Sequence, residues 1–181
     1  MDKFNIKILS HEWISNENTE TDLCSHGKLE LTIGEEIILN ESDGDWTIST
    51  SVLQLLRCIE PNPDTETDFN PIMCCGMLLM LGCPIGLYFD LKHKNGKIVI
   101  RNIKKQYGTN DNEHVLYPKI VAEINTSDFA INILNLAKEV KSFFNNEPKK
   151  NLDDDMDKEL WVEFWNEFNE LYKNGIEKYN C

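Results

Sequence analysis

Residues Gly86 to Lys105 read GLYFDLKHKNGKIVIRNIKK. Leu87, Phe89 and Leu91 alternate with Tyr88, Asp90 and Lys92. That is the period of a strand with one face in a core and the other toward water. The second half alternates again, and Asn95-Gly96 stands between the halves. This pair favours a type I′ turn, which needs positive φ at both central residues. The stretch predicts an antiparallel hairpin. A lone hairpin is marginal in water, so its apolar face requires other elements to cover it.

Those elements are legible on both sides. Phe4, Ile6 and Ile8 alternate as a half-buried strand, and residues 15–27 read as a polar loop. Lys28 to Asn40 forms a second hairpin about Gly34, followed by the turn signal Asp43-Gly44. The period then changes. Ile48, Val52, Leu55, Leu56 and Ile59 share a helical face, with Ser49 or Thr50 as cap and Pro61 and Pro63 as terminators. Residues 114–124 (HVLYPKIVAEI) read as a strand, with Pro118 implying an edge or a bulge. A helix follows, capped by Thr126 or Ser127, with Phe129, Ile133, Leu136, Ala137, Val140 and Phe144 on one face. Residues 145–155 form a linker. Asp153, Asp154 and Asp155 favour the positive end of a final helix. That helix carries the stripe Leu160, Trp161, Phe164, Trp165, Phe168, Leu171 and Tyr172, and Gly175 is placed to end it. The stripe reads as core rather than interface. The expected fold is α+β: a single domain, 1–181, with a mainly antiparallel sheet of about five to seven strands. Three helices cover it, including the amphipathic C-terminal one.

The stretch PIMCCGMLLMLGCPIG, Pro71 to Gly86, brackets the most apolar run with Cys74, Cys75 and Cys83. Gly76 interrupts the run, which falls short of the roughly 20 apolar residues a membrane helix needs. Zinc sites usually pair ligands two to four residues apart. Cys24-x-His26 is too tight and Cys75 to Cys83 too wide, so no metal and no cofactor is expected. No C-x-x-C pair occurs. The stretch reads as a short buried strand, about Met77 to Leu81, with the thiols packed as small apolar groups. The N-terminus shows no secretion signal, so the six cysteines are expected free in a cytoplasmic protein.

Enzyme readings are weaker than their plain alternatives. Asp64, Asp90 and Lys92 have the residue types of a metal-dependent nuclease, with two carboxylates for Mg²⁺ and a lysine for developing charge. Asp64 falls in a loop, and pairing on the sheet explains Asp90 and Lys92 without catalysis. Cys75 as a nucleophile needs a nearby histidine. His11, His26, His93 and His114 are scattered, as ordinary surface or core histidines would be.

Charge is the unusual bulk property. The net charge is −13, with 15 acids and 4 bases in residues 1–70 but 6 acids and 9 bases in residues 71–146. Such a surface repels nucleic acid and attracts basic proteins. Glu35, Glu36, Glu41, Asp43 and Asp45 surround one expected turn and form the candidate contact set. The abundance of Asn, Lys and Ile suggests an AT-rich genome, that of a low-GC bacterium or its phage.

Four segments, in order, carry a resemblance: TISTSVLQLLRCIE, PIMCCGMLLMLGCPIGLYFDLKH, FAINILNLAKEVKSFFNNEPKKN and DKELWVEFWNEFNELYKNG. Together they resemble small acidic bacterial immunity proteins of polymorphic-toxin and contact-dependent inhibition systems. The match runs from about Trp46 to Gly175. Its most specific parts are Cys74-Cys75-Gly76, Gly82-Cys83-Pro84-x-Gly86 and the Phe-Trp-Asn-Glu-Phe of the last helix. The resemblance implies a non-enzymatic protein that neutralises a toxin, for which a basic nuclease is an expected class. A phage-encoded inhibitor of a host defence protein is the alternative with the same surface chemistry.

Overall fold

The computed structural model describes residues 2–14, 20–74, 78, 84–110, 112–152 and 154–180. The central hairpin is present as read. Strands β7 (Gly86–Lys94) and β8 (Lys97–Gln106) pair antiparallel across Asn95 and Gly96, whose φ values are 52° and 75°. Leu87, Phe89, Leu91, Ile98 and Ile100 are all fully buried. Burying each such side chain is worth about 1.5–3 kcal/mol, so this face dominates the energetics of the sheet.

β6 (Phe69–Met73) flanks β7, giving the order β6-β7-β8. The outer edge of β8 carries two strands in tandem, β9 (His114–Tyr117) and β10 (Ala122–Asn125). The single strand expected over 114–124 is therefore broken at Pro118, which has no N–H to give to a ladder. This five-stranded sheet is antiparallel throughout.

The N-terminal strands do not join it. β1 (Phe4–Ile8), β3 (Leu29–Ile33) and β4 (Glu36–Leu39) make a second antiparallel sheet in the order β1-β3-β4. β2 (His26–Gly27) and β5 (Trp46–Thr47) form a two-stranded ribbon. The buried side chains of both larger sheets and all three helices nonetheless form one contiguous cluster. The expected strand Met77–Leu81 lies outside the described residues except for Leu78, which is buried.

Helix α1 (Ile48–Arg57) packs on β6, and α2 (Thr126–Asn145) packs on β1, β8 and β10. Their cap residues, Thr47 and Asn125, lie one to three residues before the expected ones, and neither makes a side-chain cap bond. Backbone carbonyls of other elements serve instead. Ile48 N donates to Ser25 O at 2.7 Å, and Thr126 N donates to Gly96 O at 3.1 Å. The hairpin turn thus also receives a donor from the start of α2, of the kind a helix end leaves unsatisfied.

Helix α3 (Asp155–Tyr179) packs against α2 and α1. Its aromatic stripe is core, as read, but the partner is a helix layer. Phe164 and Phe168 are fully buried, and Trp161 and Trp165 meet Phe144 of α2 with ring centroids 5.9 and 4.9 Å apart. Arg57 grips Glu167 with both arms of its guanidinium, at 2.6 Å each, tying α1 to α3. Gly175 does not end the helix. It is buried mid-helix, where a Cβ would come within 2.6 Å of Leu134 Cδ2. The glycine is therefore needed for close approach of α3 to α2, and the helix ends at Asn180 with φ 54°. Among the described residues no helix is long and apolar enough to cross a membrane.

One close backbone contact fixes how the segment after β1 folds back. Gly27 has φ +151°, and a Cβ there would lie 1.9 Å from the Ser10 carbonyl oxygen. Gly27→Ala is predicted to cost about 3 kcal/mol or more, because backbone cannot yield cheaply. Gly34→Ala, with φ +64° but open space around it, should cost only about 1 kcal/mol. Urea midpoints of the two variants measure the contrast.

Candidate protein-binding surface

The acidic segment runs from the β3–β4 turn to the start of β5. Ile33 pairs with Glu36, leaving Gly34 and Glu35 as the turn. Glu35 and Glu36 project into solvent, and Ile37 beside them is 58% exposed although Ile38 and Leu39 are fully buried. Asn40 then caps a single 3-10 turn, Glu41–Asp43, and Gly44 with φ +85° releases the chain to Asp45 and the buried Trp46.

The five predicted contact acids do not behave alike. Asp43 turns inward. Its Oδ2 accepts from Asn40 N at 2.8 Å, while Asn40 Oδ1 accepts from Ser42 N at 2.9 Å. Its Oδ1 takes Lys105 Nζ at 2.6 Å, and that ammonium also donates to Ile38 O at 3.1 Å. Asp43 thereby fastens β4 and its turn to β8. Glu41 is exposed, 3.6 Å from Lys28 Nζ. Among the described residues no cation lies within ion-pair distance of Glu35, Glu36 or Asp45. Four acids and one exposed isoleucine therefore face water together, and the fifth acid holds them in place. The reciprocal bonding of Asn40 and Asp43, three residues apart, is a capping-box spacing legible in the sequence.

The nuclease-type residues serve the fold. Asp64 is exposed in a 3-10 turn whose cap, Asn62, accepts from Asp64 N at 3.0 Å. Asp90 is only 6% exposed. It accepts from Asp68 N at 2.9 Å and Asn102 Nδ2 at 2.7 Å, and Arg101, its cross-strand partner, lies at 3.4 Å. Asp68 and Asn102 both have positive φ, 47° and 54°, so Asp90 clamps two strained residues beside the β7–β8 register shift. Lys92 pairs with Glu66 at 2.9 Å. Among the described residues no three His, Cys, Asp or Glu side chains are grouped to hold a metal.

The thiols and histidines are likewise built in. Burial raises Cys24 to a pKa of about 11 and pushes Cys58 higher still, so both are protonated thiols at neutral pH. Cys74 is half-buried against the core. Cys75, Cys83 and Cys181 lie outside the described residues. His93 bonds Cys58 O at 3.0 Å. His26 Nδ1 is buried 3.7 Å from Asp22 Oδ2. His11 Nε2 meets the buried Ser25 Oγ at 2.8 Å and the ring stacks on Phe143 at 3.8 Å. Desolvation lowers its pKa to about 4.

Two outcomes follow from these placements. Asp43→Ala should lose about 1–3 kcal/mol, since it strips a cap and a half-sheltered ion pair at once. Glu35→Ala, Glu36→Ala and Asp45→Ala should stay within about 0.5 kcal/mol of the parent in the same denaturation assay. For His11, the unfolded imidazole titrates near its ordinary 6.5 and the folded one near 4. Between these values the unfolded chain takes up the proton and the folded chain resists it, so stability falls as pH drops from 6.5 toward 4. The loss should reach roughly 2–3 kcal/mol, and His11→Gln should remove that part of the pH slope.

Comparison of the chain with protein-family models, with curated proteins and with solved structures finds no significant match in any of the three.

Proposed function

We propose that this chain is a non-enzymatic binding protein that neutralises a basic partner protein, most closely in the manner of a cytoplasmic immunity protein blocking a toxin. The observation that carries the reading is the exposed group Glu35, Glu36, Glu41 and Asp45 around Ile37. Glu35, Glu36 and Asp45, which have no ion-pair partner among the described residues, project their field into solvent, where it raises the encounter rate with a positively charged surface. An exposed aliphatic residue among them supplies the desolvated centre that slows dissociation. The same carboxylates match the phosphate-binding cations of a nuclease site, which makes a nuclease toxin the favoured partner. Asp43 is not a contact residue in this reading, because its two oxygens are engaged by Asn40 and Lys105.

The resemblance noted in the sequence supports the same assignment from different residues, since its segments begin at about Trp46, beyond the acidic turn. Surface and resemblance are thus separate lines of support.

A partner recovered from the native host by affinity capture allows a kinetic test. Glu35→Lys, Glu36→Lys and Asp45→Lys combined should slow association about tenfold or more at low salt and flatten its salt dependence. Ile37→Ala should instead raise the dissociation rate. Association and dissociation rates that are both unchanged would place the contact surface elsewhere on the molecule.

A further inference from the structure

Helix α3 leaves a pocket at its N-terminal half. The linker after α2 is strapped to the N-terminal segment at three points. Trp13 Nε1 donates to Glu147 Oε2 at 2.8 Å, Lys150 Nζ sits 3.1 Å above the Trp13 ring, and Asn151 N donates to Glu20 O at 2.8 Å. Lys150 is only 9% exposed. Held there, the linker stands off from α3 and encloses about 510 Å³ with α2 and α3. That volume lies within the range of small-molecule sites.

The lining has two distinct parts. One is aromatic: Phe144, Trp161 and Trp165 form a triangle with centroid separations of 5.9, 4.9 and 5.7 Å, the rings tilted or edge-on to one another. The Trp165 indole N–H is buried without a hydrogen-bond partner among the described residues, and its ring packs between those of Phe144 and Phe168 at 4.9 and 5.3 Å. The other part is cationic. Lys141, Lys149 and Lys150 line the pocket with one acid, Glu147, which Trp13 engages; Asp22, Glu147 and Glu20 already compensate Lys150, while Lys141 and Lys149 have no acid within ion-pair distance among the described residues. In a chain of net charge −13 these lysines place positive charge beside the aromatic rings.

We propose that this pocket binds a small aromatic carboxylate, its ring against Trp161 and Trp165 and its carboxylate among the lysines. A neutral aromatic gains only the ring contacts. An aliphatic anion gains only the charge, which is weak near solvent. The pairing of both features selects one molecule that has both. The site draws on residues 141–169 and does not depend on the reading of the acidic turn.

The test uses the full chain, labelled with ¹⁵N, and follows the indole N–H resonances of its four tryptophans. The probes are 1-naphthoate and its neutral counterpart 1-naphthalenemethanol. Naphthoate should saturate shifts at Trp161 and Trp165 while leaving the remote, buried Trp46 unmoved, with the alcohol at least tenfold weaker. Lys149→Ala is exposed and safe for folding; it should weaken naphthoate severalfold and leave the alcohol unchanged. Equal affinity for the two probes, shifts of the same size at Trp46, or indifference of naphthoate to Lys149→Ala would each overturn the assignment. Failure to saturate below about 10 mM, an affinity of only ~3 kcal/mol, would do the same.

Discussion

The structure depends on one buried face, that of the β7–β8 hairpin. Leu87, Phe89, Leu91, Ile98 and Ile100 are wholly removed from water, and α2 starts from a hydrogen bond to the turn that joins the two strands. At about 1.5–3 kcal/mol each, five such side chains outweigh every surface ion pair in the molecule, which are worth roughly 0–1 kcal/mol apiece. The outer face of the hairpin is therefore free to be polar. It is organised by Asp90, whose bonds to Asp68 and Asn102 hold the register shift that bends the pair.

That outer face also explains how an acidic protein sorts its charge. Four of its cations are paired: Lys92 with Glu66, Lys97 with Glu123, Arg101 with Asp90 and Lys104 with Asp68. Lys97 and Glu123 are about half-exposed, and their contact moves both groups toward their charged forms. Three cations of the basic middle, Lys92, Lys104 and Lys105, are paired with acids of the first 70 residues, Glu66, Asp68 and Asp43. Glu35, Glu36 and Asp45 have no such partner among the described residues. Asp43 marks the boundary between the two uses of an acid, one that fastens strands and one that faces solvent.

Local signals were legible in the sequence and non-local ones were not. Asn95-Gly96 specifies its turn by its own backbone preference, so the hairpin was readable outright. Gly175 was not, because a glycine that ends a helix and a glycine that lets two helices touch are the same letter; Leu134, 41 residues away, decides between them. The helix caps were misplaced for a similar reason. Ser49 and Thr126 are good capping residues, but the backbone of Ser25 and Gly96 takes over that task. Among the candidate contact acids, charge alone groups Asp43 with its neighbours. Its partner Lys105 is brought to it only when β4 meets β8.

The aromatic stripe of α3 shows how one helix can be both fixed and open. Toward its C-terminal end it is tied by Glu167 to Arg57, by Asn169 to Lys141, by Lys178 to Glu60 and by the close fit of Gly175 on Leu134. Toward its start the contacts with α2 are aromatic: Trp161 and Trp165 against Phe144. Ring contacts are tolerant of small displacements in a way that a two-armed guanidinium grip is not. The linker beside them is anchored to Trp13 and Glu20 rather than to α3. The cavity opens beside these aromatic contacts, with the Lys141–Asn169 tie in its wall and three lysines in its lining. The acidic turn and the lysine-lined aromatic pocket are held by different side chains, the turn by Asn40, Asp43 and Lys105, the linker beside the pocket by Trp13 and the backbone of Glu20.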